Sequence, residues 1–137
     1  MILINRKTDF AIKALIEISK SEGFLSAKFL SKKLSIPKPF LRSILRILAV
    51  KGILNSTKGL NGGFSLAKKP EKIKIFEIIK IFSNGVQFNR CIFRKKICPD
   101  IKTCPLRKEI KKIEDSTIKK LNKITIKSLI EGKRKTI

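Results

Sequence analysis

At 137 residues the chain is long enough for one domain with a real core and too short for several. A hydrophobic share of 42% excludes a disordered chain, although 31% of the residues are charged. With 33 Lys and Arg against 10 Asp and Glu the net charge is +23, which favours a polyanionic partner, nucleic acid ahead of a membrane surface.

A lysine-rich compositional bias is the competing explanation of that charge, so charge alone does not decide the partner. The opening Met1-Ile2-Leu3-Ile4-Asn5-Arg6-Lys7 has too short an apolar run for a signal peptide. No apolar stretch approaches the roughly 18 residues of a membrane span. A cytoplasmic protein is expected, with reduced thiols and no membrane partner.

The first helix is expected from Thr8 to about Ser21, with Phe10, Ala11, Ala14, Leu15 and Ile18 at helical spacing. Thr8 suits the N-cap and Asp9 the first turn. Ser26 then caps a short helix, Ala27 to Leu34, with Ala27, Leu30 and Leu34 inward. After the turn Ser35-Ile36-Pro37-Lys38-Pro39, a third helix from about Pro39 to Lys51 buries Leu41, Ile44, Leu45 and Leu48. Arg42 and Arg46, at i and i+4, point the other way, with Lys38 and Ser43 nearby. Two helices joined by a tight turn, the second with arginines on its free face, are the pattern of a helix-turn-helix; ordinary helix packing with solvated arginines is the plainer alternative.

Gly52 stops the third helix in the C′ position. Residues 53–57 and 64–67 read as two short strands around the glycine-rich connection 58–63. A hairpin directly after a recognition helix is a wing, whose tip offers Lys58, Asn61 and backbone N–H groups to phosphates or a minor groove. The glycine spacing matches neither nucleotide-binding fingerprint. A fourth helix is expected from Ile75 to Phe82, stopped by Ser83-Asn84-Gly85. From Pro105, a narrow apolar stripe of Leu106, Ile110, Ile113, Thr117, Leu121 and Ile124 runs along a lysine-rich helix, as in a seam with a partner helix. Thr125 caps a last short helix, Ile126 to Glu131.

All three cysteines, Cys91, Cys98 and Cys104, lie in residues 91–104 with spacing C-x6-C-x5-C. An odd count in one stretch of a reducing compartment favours metal or redox chemistry over a structural disulfide. Thiolate selects iron–sulfur clusters, zinc or copper(I), but zinc knuckles use shorter gaps and often histidine, and the chain has no histidine. Gaps this wide suit a multi-iron cluster. A cubane held by three cysteines needs a fourth ligand, such as a carboxylate or a small molecule. Inert cysteines or a redox-active dithiol remain open. With no nucleophile–base pair and no nucleotide fingerprint, an enzyme is not expected.

The whole chain resembles the IscR/NsrR family of winged-helix transcription factors (the Rrf-two family). The marks are Thr8-Asp9-Phe10-Ala11, Phe40-Leu41, Lys58-Gly59, Gly62-Gly63-Phe64-Ser65-Leu66-Ala67 and the ordered cysteines. The resemblance implies a homodimer that binds a palindromic double-stranded DNA operator and carries one iron–sulfur cluster per subunit. Clusters in the family report nitric oxide, redox or iron–sulfur status. Two departures matter: the gap between the first two cysteines is six residues rather than five, and Arg107 stands where the IscR branch has a histidine. A 4Fe–4S cluster on Cys91, Cys98 and Cys104 is therefore expected over 2Fe–2S. In some NsrR-like members an aspartate completes the partner subunit's cluster, and Asp9 occupies the matching place; a first-turn carboxylate on the helix dipole is the plainer role. Arg42 stands where the IscR branch has a base-reading glutamate, so a different operator is implied.

The fold expected is mainly α with a small β-hairpin wing: a winged helix-turn-helix over residues 1–83, a cysteine cluster-binding loop over 84–104, and a dimerisation helix and tail over 105–137, together one compact domain. Its function would be cluster-controlled DNA-binding regulation, repression expected, with Lys38, Arg42, Ser43, Arg46, Lys58 and Asn61 on DNA. The alternative is a cluster-free regulator that senses thiol oxidation.

Overall fold

The computed structural model describes residues 4–83 and 104–135, the last three by backbone alone. Helix α1 (Arg6–Ser19) lies at the centre of the core. It buries Ala11, Ala14, Leu15 and Ile18 as the spacing predicts, and also Ile16 and Thr8. The N-cap is Asn5, not Thr8. The Asn5 side-chain oxygen accepts from the Thr8 backbone N–H at 2.8 Å and from the Thr8 hydroxyl at 2.9 Å. Thr8 is thus inside the helix and fully buried, its hydroxyl satisfied by the cap itself. The Asn5 amide NH₂ donates to the Phe82 carbonyl at 2.8 Å, so one side chain ties the start of α1 to the end of α4 (Ile75–Phe82).

Helices α2 (Ala27–Leu34) and α3 (Lys38–Val50) fall where the sequence puts them. Ser26 caps α2 through Phe29 N–H. Ser35 adopts φ 55°, and the Ser31 hydroxyl donates to the Ile36 carbonyl at 2.6 Å, which sets the turn into α3. Leu41, Ile44, Leu45 and Leu48 are fully buried and define the inner face of α3. At its C-terminus Gly52 has φ 80°. Gly52 N–H donates to Ala49 and Ile53 N–H to Leu48, the double bond of a Schellman motif, and Ile53 and Leu48 are both buried.

Strands β1 (Leu54–Thr57) and β2 (Gly63–Leu66) pair antiparallel, Leu54 opposite Leu66 and Thr57 opposite Gly63. A third stub was not legible in the sequence. Leu25, just before α2, exchanges two backbone hydrogen bonds with Phe64, at 2.9 and 2.8 Å. The wing is therefore stitched to the segment that enters the helix-turn-helix.

A 3₁₀ turn at Pro70–Lys72 leads into α4, which buries Ile75, Ile78 and Ile79. Helix α5 (Pro105–Lys123) follows, then α6 (Ile126–Lys135), four residues longer than expected. Thr125 and Ser128 cap α6 reciprocally, each backbone N–H donating to the other's hydroxyl. Ile75 N–H donates to the Ile124 carbonyl and Ile126 N–H to Ile73. This short bridge, with Ile73 and Ile126 fully buried, docks the C-terminal helices onto the body that holds α1.

Candidate nucleic-acid interface and cysteine site

The inner face of α3 is fixed by four buried aliphatics, flanked by the part-buried Phe40 and Ala49, so the opposite face points out. Lys38, Arg42, Ser43 and Arg46 are all exposed. The Ser43 hydroxyl donates back to the Phe40 carbonyl at 2.8 Å, which leaves its oxygen free to accept. Phe40 in turn packs edge-on against Phe10 of α1, ring centroids 5.5 Å apart, and this contact anchors the N-terminal turn of α3. Lys58 and Asn61 are exposed on the hairpin. Asn61 sits at a corner of the turn closed by Gly62 N–H to Gly59 C=O at 3.1 Å. Two elements, α3 and the hairpin, joined by Lys51, Gly52 and Ile53, thus carry all six residues.

The charge distribution sharpens this surface. Glu22 and Glu71 bracket a stretch with no acidic residue, and it holds Lys28, Lys32, Lys33, Lys38, Arg42, Arg46, Lys51, Lys58, Lys68 and Lys69. A compositional bias adds lysine but does not remove acids; spread evenly, about three or four acids would fall in that length. The ion pairs among the described residues include Asp9–Lys13, Glu17–Lys20, Glu77–Lys68, Glu109–Lys112 and Glu71–Lys127. Their carboxylates lie on α1, the 3₁₀ turn, α4 and α5. The cations of α2, α3 and the wing tip have no such neighbour among the described residues. This acid-free block was legible in the sequence but escapes a reading by net charge.

The cysteine site is described at one end only. Cys91 and Cys98 lie outside the described residues. Cys104 is the N-cap of α5, with Pro105 at N1. It is a free, half-buried cysteine, and its side chain makes no capping hydrogen bond. Among the described residues its sulfur has no partner, and it sits at the N-terminus of a 19-residue helix. Asp9 lies in the first turn of α1, half exposed, and pairs with Lys13 at 2.8 Å. An accessible carboxylate in an exposed i,i+4 pair is free to exchange partners.

The apolar stripe on α5 divides in two. Its C-terminal end turns onto the protein's own core: Leu121 is buried, and Ile118 and Ile124 pack beside it. The seam expected to run through Leu121 and Ile124 therefore stops short of them. At the N-terminal end Leu106 is 64% and Ile113 53% exposed. No helix among the described residues is long and apolar enough to cross a membrane.

A family model described as an iron-dependent transcriptional regulator, Rrf2, matches residues 4–132. An HTH-type transcriptional regulator of Aquifex aeolicus is 32% identical over 97 residues, covering 70% of this chain and 67% of that protein. The HTH-type transcriptional regulator NsrR of Bacillus subtilis is 26% identical over 129 residues, 92% of this chain and 88% of its own. Among solved structures, CymR, the global cysteine regulator of B. subtilis, superposes with a TM-score of 0.79 at 22% identity, covering 96% of this chain and 98% of that one. IscR of T. potens superposes with a TM-score of 0.73 at 20% identity over 96% of this chain and 88% of its own. At these identities the superpositions establish the winged-helix fold.

Proposed function

Since the chain belongs to the Rrf2 family of transcriptional regulators, we propose that it is a homodimeric repressor whose operator binding is controlled by an iron–sulfur cluster. The observation that carries the DNA-binding part is the exposed, acid-free face of α3 and the wing. Arg42, Ser43 and Arg46 approach base edges in the major groove, Arg42 and Arg46 with the fork suited to guanine. Lys38, Lys58 and Asn61 hold phosphates or the flanking minor groove. Two such readers in a dimer, paired through the exposed N-terminal half of α5, would meet a palindrome with half-sites about one DNA turn apart.

Cys91, Cys98 and Cys104 would hold a 4Fe–4S cluster, with Asp9 supplied across the dimer as the fourth ligand. What supports this is the uncommitted sulfur of Cys104, the accessible Asp9 carboxylate, and a relative named NsrR. When bound, such a group supplies reactivity toward nitric oxide and oxidants. The chain's own contribution is positional. Asp9 sits one residue past Thr8, which the Asn5 cap grips, and Asn5 also holds the end of α4. A change in what Asp9 binds therefore acts on the helix at the centre of the reader.

Anaerobic purification followed by iron and sulfide analysis, nitric oxide titration and operator-binding measurement tests this. About four irons and four sulfides per chain, with DNA binding lost on nitric oxide addition, support the reading. Asp9→Ala should weaken cluster retention and uncouple it from DNA binding. Because it removes a half-exposed i,i+4 ion pair and a first-turn carboxylate, together worth about 1 kcal/mol or less, the chain should still fold. Unchanged cluster retention in that variant removes Asp9 from the site. A metal-free protein whose DNA binding switches with reductant instead places it with thiol-oxidation sensors, a reading that the uncommitted Cys104 thiol also accommodates.

A further inference from the structure

Leu60 stands wholly clear of the protein, at 105% exposure. A lone exposed leucine is ordinary; its setting gives this one meaning. Leu60 and Asn61 are the two corners of the wing-tip turn, between Gly59 and Gly62. The stem below them is tightly packed backbone. Gly59 and Gly63 have φ 110° and 152°, a Cβ on Gly62 would meet the Thr57 carbonyl oxygen at 2.5 Å, and one on Gly63 would collide with the Leu25 carbonyl. With Leu25 and Phe64 stitched together beneath, the tip has no apolar surface to fold Leu60 against. It projects outward beside Lys58, in the acid-free part of the chain.

We propose that Leu60 is an apolar wedge that enters the DNA minor groove beside the bases read by α3 and partly unstacks one base step there. The proposal rests on the DNA-reading function above and deepens it: the wing becomes a reader of deformability rather than of base identity. Lys58, two residues away, holds the adjacent phosphate and brings the leucine to the groove edge. Apolar side chains unstack steps from the minor-groove side without any hydrogen bond to a base. Burial there removes from water the large apolar side chain that, among the described residues, the fold leaves most exposed. The favoured flank is a flexible pyrimidine–purine step, TA or CA/TG, which yields most readily to such a wedge.

The test uses the full chain, an operator selected by the wild type from randomised duplexes, and the variants Leu60→Ala and Leu60→Met. Affinity is measured across a salt series, bending by fluorescence transfer between labelled duplex ends. Leu60→Ala should bind about tenfold more weakly, bend the duplex less and lose its preference for the flexible flanking step. Its salt dependence should be unchanged, because no phosphate contact is removed. Its thermal midpoint should match the wild type, and Leu60→Met should restore binding and bending. Wild-type affinity, bend and flank preference in Leu60→Ala would overturn the wedge while leaving the regulator reading intact. A wild type that selects no duplex sequence would overturn both.

Discussion

The side-chain amide of Asn5 accepts from two groups of Thr8 and donates to the Phe82 carbonyl, so its two ends serve different helices. Replacing it separates the two roles. Asn5→Ala should cost about 1–2 kcal/mol, since it removes an N-cap and orphans the buried Thr8 hydroxyl. Asn5→Asp keeps the acceptor for Thr8 but loses the donor to Phe82, so it should recover only part of that loss in thermal denaturation. Equal stability of Asn5→Asp and wild type would show that the tie to α4 contributes nothing. This residue also shows where the sequence misleads. Asn and Thr are both good caps, and the apolar period becomes visible only at Phe10, so Thr8 looked like the boundary. What decides the matter is Phe82, a partner 77 residues away, which no local pattern contains.

The elements with local punctuation were legible. Ser26, the prolines at 37 and 39, Gly52 and Pro105 mark the ends of α2, α3 and α5 because each solves a backbone problem at a helix terminus. Pairings across the chain were not: the Leu25 stub on β2 and the bridge from 73–75 to 124–126 join segments with no shared signal. The same local logic isolates the function of α3. Its outer face makes no contribution to the core, so Arg42→Ala and Arg46→Ala should leave the thermal midpoint unchanged. Each should cost about 1–3 kcal/mol of operator affinity and relax selectivity at one base position per half-site. Lys58→Ala should weaken binding evenly across sequences and lower the salt slope by about one. A loss that is uniform across sequences for all three variants would remove the arginines from base reading.

In the whole molecule, α5 has one buried end and one exposed end. Leu121 and its neighbours are committed to the subunit's own core, and Leu106 and Ile113 face outward. The sequence shows one continuous stripe because residue spacing reports which side of a helix is apolar, not what covers it. Leu106→Asp combined with Ile113→Asp should yield a folded monomer by analytical ultracentrifugation with weaker binding to a full palindrome. The wild type's thermal midpoint should rise with concentration, and that of the double variant should not. A concentration-independent wild type would count against dimerisation, and a double variant that stays dimeric would place the contact elsewhere. The stitch between Leu25 and Phe64 acts at this scale too. It ties the wing to the segment that enters α2, and on the DNA-reading proposal wing and α3 would grip as one jaw of fixed gauge. One extra base pair between the two places that jaw grips would shift the second by about 3.4 Å along the axis and carry it around the helix. A hinged wing could follow that shift; a riveted one cannot. On the proposed reading, such a protein would measure the length of its site as well as spell it, and an operator with every letter intact but one too many would be a stranger to it.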